Sequence, residues 1–239
     1  MLPKIDYPII DIEFKSLKNS KIKFRPMLVK DEKILLIAKE SNSDVDIFTA
    51  VKQVVTNCCL DDKFDINKIP LFELEYAFLF LRMQSINNII ELSYHDNEDE
   101  KDYKFTINLS DINIIYPEKK VDNKIQLTDD GVGIVLLYPP ASLYSNDKFL
   151  NSKGVSDSFD EILHASIEQI YDRENVYDIA TTSKEELNTF LESIDSKSYK
   201  KIQEFFENVP YMEHIIKYKN GKGTDRTISL RTLNDFFIL

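Results

Sequence analysis

The side chains able to do acid–base chemistry near neutral pH are few and scattered in this sequence. Its histidines are His95, His164 and His214, and histidine is the side chain that titrates in this range without help from its surroundings. No two of them share the spacing of a metal site or a catalytic pair. A Ser-His-Asp arrangement has no local signature either, since no nucleophile elbow is present. The sequence therefore predicts no catalytic residue.

Two acidic clusters offer oxygen ligands without a metal-binding pattern. Residues 96–102 lack the spaced D-x-D-x-D-G and the distal Glu of a calcium loop. Residues 129–131 are typical of a tight turn, in which Asp and Gly supply the required backbone angles. The glycines at 131–133 and 221–223 do not complete a phosphate-binding fingerprint. We therefore predict no metal ion and no cofactor.

The cysteines, Cys58 and Cys59, are adjacent at the end of a predicted helix. A vicinal pair seldom forms a disulfide, which favours a reducing cytosol as the compartment. No cationic neighbour that would lower a thiol pKa is visible in the sequence. We expect core residues here, with a reactive pair as the less favoured alternative.

Charge and hydropathy restrict the classes of partner. Lys and Arg number 30 against 41 Asp and Glu, which gives a net charge of −11 and disfavours a broad phosphate-binding face. The longest apolar runs, such as 77–81 and 132–138, fall short of the ~18 residues that a membrane helix needs. We predict neither nucleic-acid nor membrane binding. The first residues also lack the basic and apolar pattern of a signal peptide.

Apolar periodicity predicts the elements of the first half. Alternation predicts strands around 10–14 and 22–24, and helical spacing predicts helices at 31–41, at 43–59 with Ser43 or Asp44 as the N-cap, and from Pro70 onward. Residues 89–109 alternate again and predict a β-hairpin with a polar tip. We expect this tip to be solvated, so that a short insertion at Glu98 is tolerated. A second hairpin is predicted over 125–138.

Helices return in the second half. Capping-box sequences at 158–161 and 183–186 predict two helix starts, and the first of these helices would carry Ile167 and Ile170 on its apolar face. A last helix would start at Ser196 or Ser198. A C-terminal hairpin is predicted over 212–230, around the glycines at 221 and 223.

The predicted fold class is α+β, with antiparallel β-hairpins segregated from helical clusters in mostly one compact unit. A stretch rich in Asn, Ser, Asp and Gly between 142 and 157 marks a soft boundary. The predicted N-terminal region, 1–141, contains three helices and two β-hairpins. The predicted second region, 142–239, is helical and ends in a β-hairpin and an apolar tail.

The apolar tail is the candidate partner-binding segment. Chain ends usually fray, so consecutive apolar residues there must dock on their own domain or on a partner. Both alternatives stay open. In an extended tail, Phe236 and Phe237 would point to opposite faces, one anchoring the tail and the other facing outward. The candidate contact residues are Leu233, Phe236 and Phe237.

Several segments together carry a family resemblance. They are the opening Leu2-Pro3-Lys4-Ile5 with Tyr7-Pro8, the strand–helix junction from Lys23-Phe24-Arg25-Pro26 to residue 36, the stretch from Pro70-Leu71-Phe72 to residue 82, Tyr138-Pro139-Pro140, and the ending Leu233-Asn234-Asp235-Phe236-Phe237. Over most of its length, the chain resembles the baseplate hub subunit family of T4-like contractile-tailed bacteriophages. These are packing and turn motifs, so they carry no catalytic roles.

The resemblance implies a non-enzymatic virion-assembly protein of the phage tail. Such a protein would act in the host cytoplasm while the baseplate hub is built, with other hub proteins and the tape-measure protein as partners. The resemblance also allows the chain to form a homo-oligomer. An alternative is a transient assembly chaperone for the tape-measure protein that is absent from the mature virion. A hydrolase that uses the scattered carboxylates Glu73, Glu75 and Asp130 is a remote alternative of another class.

Overall fold

The structure is a computed structural model that describes residues 3, 5–18, 20–41, 43–119, 121–152, 154–231 and 233–236. It confirms the α+β class. The strands are β1 (Ile10–Phe14), β2 (Ser20–Phe24), β3 (Ile89–Asp96), β4 (Lys101–Asn108), β5 (Asn113–Ile115), β6 (Lys124–Gln126), β7 (Gly133–Leu136), β8 (Ile167–Tyr171), β9 (Val176–Asp178), β10 (Tyr211–Lys219) and β11 (Asp225–Leu230). The helices are α1 (Val29–Glu40), α2 (Asp44–Cys58), α3 (Leu71–Ser85), α4 (Asp147–Leu150), α5 (Val155–Ser166), α6 (Lys184–Glu192), α7 (Ser196–Glu207) and α8 (Leu233–Phe236).

The chain divides into two compact units. Unit 1 comprises Met1–Ile115 and Tyr211–Leu239, and unit 2 comprises Tyr116–Pro210. The predicted boundary between 141 and 142 falls inside unit 2. The strand β7 before this boundary pairs with β8 after it, so both sides of the boundary belong to one sheet. The C-terminal hairpin belongs to unit 1 because β10 pairs with β5, with Met212 opposite Ile114.

Unit 1 combines hairpins with the three predicted helices. The β1–β2 and β3–β4 pairs are antiparallel, and β11, β10 and β5 form a three-stranded sheet in that order. Phe14 and Phe24 are fully buried, and the Phe64 ring packs on both. The helix α3 buries side chains around most of its circumference, as expected for a central helix.

Unit 2 is built on the antiparallel sheet β6-β7-β8-β9. Helices α5, α6 and α7 pack side chains against this sheet, and the resulting core is apolar. Its buried members are Ile125, Leu127, Ile134, Leu136, Leu163, Ile167, Ile170, Leu187, Ile202 and Phe205. The hairpin predicted over 125–138 is confirmed as β6–β7.

The predicted helix start at Ser158 is wrong. The helix α5 begins at Val155 after Gly154, and the Ser158 hydroxyl donates to the Gly154 carbonyl from within the helix. Ile167 and Ile170 lie in β8 rather than in a helix. A register irregularity at Val135 and Leu136 disturbs the alternation expected of a strand, so the two buried residues stand three apart and imitate helical spacing.

The other predicted helix starts agree more closely with the structure. Ser43 caps α2 by accepting from the Asp46 N–H, and Ser183 forms the predicted capping box with Glu186. The helix α7 starts at Ser196, one of the two predicted positions, and Asp195 is its N-cap. The Ser198 hydroxyl donates to the Leu127 carbonyl. Within the described residues, we find no helix with the length and hydrophobicity that a membrane crossing demands.

Candidate interaction site

The histidines lie in separate elements of the fold. His95 is exposed on β3, where Nδ1 lies 2.8 Å from Asp102 and Nε2 lies 3.4 Å from Glu100. Hydrogen bonds to Asp102 and then Glu100 raise the pKa of His95. His164 lies on α5 and His214 on β10. Among the described residues, no three His, Cys, Asp or Glu side chains are grouped to hold a metal ion.

Two of the three carboxylates of the remote hydrolase alternative, Glu73 and Asp130, make contacts within the fold. Glu73 is buried in the first turn of α3 and accepts from the backbone N–H of Ser16 at 3.1 Å and from its hydroxyl. Glu75 lies on the same helix. Asp130 belongs to unit 2, where it accepts from the Thr128 hydroxyl within the β6–β7 turn. Glu73 therefore holds the backbone of Ser16, and Asp130 holds a side chain of its own turn.

Most residues of the polar tip of the β3–β4 hairpin are exposed, as predicted, but Asp96 and Asp99 make packed contacts. Asp96 is fully buried and accepts from the Tyr218 hydroxyl at 2.6 Å. Its carboxylate also lies 3.3 Å from Nε of Arg226. Tyr218 and Arg226 belong to β10 and β11, so this one carboxylate joins two hairpins of unit 1.

The turn between β10 and β11 continues this contact. Asn220 donates its side-chain amide to Glu98 at 2.6 Å, and the Gly221 N–H donates to Asp99 at 2.7 Å. The Tyr103 hydroxyl donates to the same Asp99 carboxylate at 2.6 Å. We call this set of interactions, between residues 96–103 and 218–226, the tip–turn contact. An insertion at Glu98 would displace these hydrogen bonds, which argues against the expectation that an insertion is tolerated.

Ionisation in the tip–turn contact follows these hydrogen bonds. Donation from Tyr218 holds the pKa of Asp96 below its usual range, and donation from Tyr103 does the same for Asp99. Desolvation, together with the hydrogen bond to Asp96, raises the pKa of Tyr218 to about 12. At neutral pH the carboxylates are charged acceptors and the phenol is a neutral donor, which is the arrangement that stabilises the contact.

A second buried charge pair lies at the start of α1. Nη1 of Arg25 is 2.6 Å from the buried Asp31 carboxylate, which also accepts from the Leu28 N–H at 2.9 Å. Burial opposes ionisation of Asp31, but the bonds from Arg25 and Leu28 lower its pKa overall. The Arg25 guanidinium also lies 3.5 Å from Sγ of Cys58, so the expectation of no cationic neighbour is wrong. Burial nevertheless raises the pKa of Cys58 to about 11.

The structure describes only part of the candidate C-terminal segment. Leu233 is buried, at 1% exposure, and the backbone from Leu233 to Phe236 forms the single helical turn α8 rather than an extended strand. The side chain of Phe236 and the whole of Phe237 lie outside the described residues. Partner binding by Leu233, Phe236 and Phe237 therefore stays a prediction.

An aromatic cleft in unit 2 was not predicted from the sequence. Its volume is about 520 Å³, and its walls come from the loop before β6, the end of β7 and the last turns of α7. The Tyr138 ring stacks on Phe205, with centroids 5.8 Å apart and planes 16° apart. Its lining residues are Tyr116, Pro117, Lys119, Val121, Asp122, Asn123, Leu136, Leu137, Tyr138, Phe205, Asn208 and Pro210.

The cleft combines a fixed floor with exposed apolar walls. Asn123 holds the floor because its side chain donates to the Leu136 carbonyl at 3.0 Å. Leu137 is 48% exposed, and Tyr116 and Tyr138 are about two-fifths exposed. Lys119 forms an ion pair with Glu204 beside it. Exposed apolar surface with a polar rim is typical of a protein-binding site.

One sequence signal for the cleft exists. The apolar run at 132–138 extends beyond the strand β7, which ends at Leu136, and is followed by Pro139 and Pro140. The Leu137 N–H still donates to the Ser166 carbonyl at 2.7 Å, and the two prolines end the pairing after Tyr138. The apolar side chains of Leu137 and Tyr138 remain at the surface.

These features define an α+β protein with an exposed aromatic cleft that is suited to contact with other proteins. Comparison of the sequence with protein families identifies the family. Residues 9–238 match the family described as T4 bacteriophage base plate protein, and the chain belongs to this family. No curated protein and no solved structure matches the chain.

Proposed function

We propose that this baseplate protein is a non-enzymatic hub subunit that acts in hub assembly around the tape-measure protein. In this proposal it associates with other hub proteins in the host cytoplasm and remains in the virion tail. Membership of the base plate family supports a role in the phage baseplate. The single structural observation that supports association is the aromatic cleft of unit 2, with its exposed Leu137 and Tyr138.

The cleft suits an apolar or aromatic side chain of a partner. Tyr138 is held by stacking on Phe205, which is itself almost fully buried, so little side-chain entropy remains to be lost when a partner docks. Covering a large apolar side chain contributes about 1.5–3 kcal/mol. Aromatic residues in preformed pockets commonly dominate interface energies.

A cleft variant tests this proposal. In cells that produce the phage tail proteins, Leu137→Ser should reduce co-purification of the chain with other hub proteins and the tape-measure protein by about tenfold or more. The matched control is Leu60→Ser, which alters a leucine of similar exposure, 51%, in unit 1. If both variants co-purified with the hub proteins as well as the natural chain does, the role of the cleft would be refuted.

The C-terminal segment has a separate proposed role in partner capture through Leu233, Phe236 and Phe237. Truncation after residue 234 should weaken hub assembly more than it lowers the melting temperature. Because Leu233 is buried and retained in this variant, the domain should still fold. Outright unfolding, or normal assembly, would refute a partner-binding tail.

A further inference from the structure

The helix α1 has apolar side chains on two opposite faces. Its buried face carries Asp31, Leu35 and Ala38. At about 100° per residue, the opposite direction is occupied by Val29, Lys33, Leu36 and Glu40, with Ile37 beside them. Val29 is 68% exposed, Leu36 48% and Ile37 68%. We call these five residues the α1 stripe.

A solvent-facing helix surface normally carries polar side chains, and a helix that is apolar all round is usually covered on both sides. Leu36 and Ile37 are adjacent, and Val29 lies about two helical turns before them on the same side, with Lys33 between. This differs from the isolated exposed apolar residues that are common on protein surfaces. The stripe therefore indicates a contact with another protein surface.

The charged residues of the α1 stripe indicate which protein surface binds to it. Lys33 and Glu40 lie seven residues apart, or about two turns, on either side of Leu36 and Ile37. If a second α1 helix runs antiparallel about a two-fold axis between Leu36 and Ile37, Lys33 of each copy faces Glu40 of the other. A parallel arrangement in register would instead place Lys33 opposite Lys33. The stripe is thus self-complementary in the antiparallel arrangement.

We propose that α1 pairs with α1 of a second copy of this chain, in an antiparallel two-fold contact centred on Leu36 and Ile37 with two Lys33–Glu40 ion pairs. Such an isologous contact uses the same patch on both subunits. This dimer contact goes beyond the proposed hub function. It uses residues of unit 1 and none of the residues that line the aromatic cleft of unit 2.

The size of the contact determines its strength. The helix α1 has 12 residues and is about 18 Å long. A stable dimer of standard size covers about 800 Å² on each partner, more than one short helix face provides. The pairing is therefore a weak, reversible one that becomes populated at high local concentration.

The test is analytical ultracentrifugation of the purified full-length chain over a concentration series. We expect a reversible monomer–dimer equilibrium. Lys33→Glu should weaken the dimer by about tenfold, because two attractive pairs become repulsive. The double variant Lys33→Glu/Glu40→Lys should restore the natural dissociation constant. When both copies carry the exchanged charges, residue 33 of each copy again faces an opposite charge at residue 40 of the other.

Apolar variants provide the second arm. Ile37→Asp should abolish the dimer and leave the melting temperature of the monomer unchanged, whereas Leu60→Asp and Leu137→Ser should leave the dimer intact. A chain that is monomeric throughout the series overturns the proposal. A dimer that ignores Lys33→Glu, or that the double variant fails to restore, also overturns it. Unfolding of the Ile37→Asp monomer would show that the chain itself covers the stripe and would equally overturn it.

Discussion

The interiors of the two units differ in their polar content. Among the described residues, the buried charged side chains all belong to unit 1: Asp31, Glu73, Arg82 and Asp96. In unit 2 the corresponding buried polar residues are Ser166 and Ser198 within an apolar core. Unit 1 is assembled from two segments distant in sequence, whereas unit 2 is continuous.

This difference bears on how each unit selects its partners. A buried charge is costly unless its particular partner is in place, so the contacts of Asp31, Glu73 and Asp96 penalise incorrect pairing of the segments of unit 1. Unit 2 forms its core from apolar side chains of neighbouring elements, and further apolar side chains remain exposed in its cleft. The polar contacts thus serve the fold, while the exposed apolar surface is available for association.

The largest effect is expected from Asp31→Ala in unit 1. This variant leaves the Arg25 guanidinium without its carboxylate partner and removes the acceptor for the Leu28 N–H, so the free energy of unfolding should fall by about 3–5 kcal/mol. Urea denaturation measures this loss. The neighbouring Glu32→Ala, which is less buried, should change stability by about 0.5 kcal/mol or less. Equal effects of the two variants would contradict a stabilising role for the buried pair.

A smaller effect is expected from Gly133→Ala in unit 2. A Cβ at this position would lie 2.6 Å from the Ile125 carbonyl oxygen and would also overlap the Tyr171 hydroxyl. Crowding of this kind costs about 1–3 kcal/mol. Hydrogen exchange followed by mass spectrometry should show the loss of protection in β6–β8 rather than in β10–β11. Adding Tyr171→Phe should recover little of the protection, because it removes the hydroxyl but keeps the ring carbon Cζ, which would still overlap the new Cβ. Loss of protection confined to unit 1 would be the contrary result.

The tip–turn contact should make unit 1 sensitive to pH. Because the pKa of Asp96 is lowered in the folded chain, its stabilisation is present above the ordinary aspartate value of about 4 and is lost as the pH falls below it. Because the pKa of Tyr218 is raised to about 12, its contribution is present below about 10 and is lost as the pH rises towards 12.

The difference in melting temperature between the natural chain and Asp96→Asn measures this sensitivity. It should be largest between about pH 4 and pH 10 and should shrink outside that window. A difference that does not vary with pH would contradict the ionised state of Asp96 in the contact.

The smallest effect is expected at the start of α6. Ser183→Ala removes an acceptor for the Glu186 N–H and one half of the capping box, which should cost about 1 kcal/mol. Exchange should increase in the first turn of α6 and leave the tip–turn contact unchanged. An increase that extends to β10 and β11 would contradict a cap that stabilises α6 alone.

Local signals predicted much of the fold. The helices α2 and α3 and the β3–β4 hairpin follow from periodicity, caps and proline, which act over a few neighbouring residues. The strand β8 was missed because an irregularity in its pairing with β7 imitates helical spacing. The division of the chain was missed because it depends on pairing between β5 and β10.

The candidate sites depend on distant contacts and were therefore less accessible to sequence reasoning. Asp96 and Tyr218 are 122 residues apart, and no local pattern indicates that they meet. Predicting the cleft would require knowing where β7 ends and which residue of α7 packs against Tyr138. The tail, by contrast, was singled out from composition alone, and the structure describes too little of it to test its role.

The proposed function makes this chain a hub subunit that stays in the assembled baseplate. Quantitative mass spectrometry of purified virions tests this proposal, with the other baseplate proteins as internal standards. We predict that the chain is present in a fixed ratio to those proteins and that Leu137→Ser reduces this ratio while Leu60→Ser does not. Absence of the natural chain from virions that are otherwise complete would contradict the claim and would favour a transient chaperone.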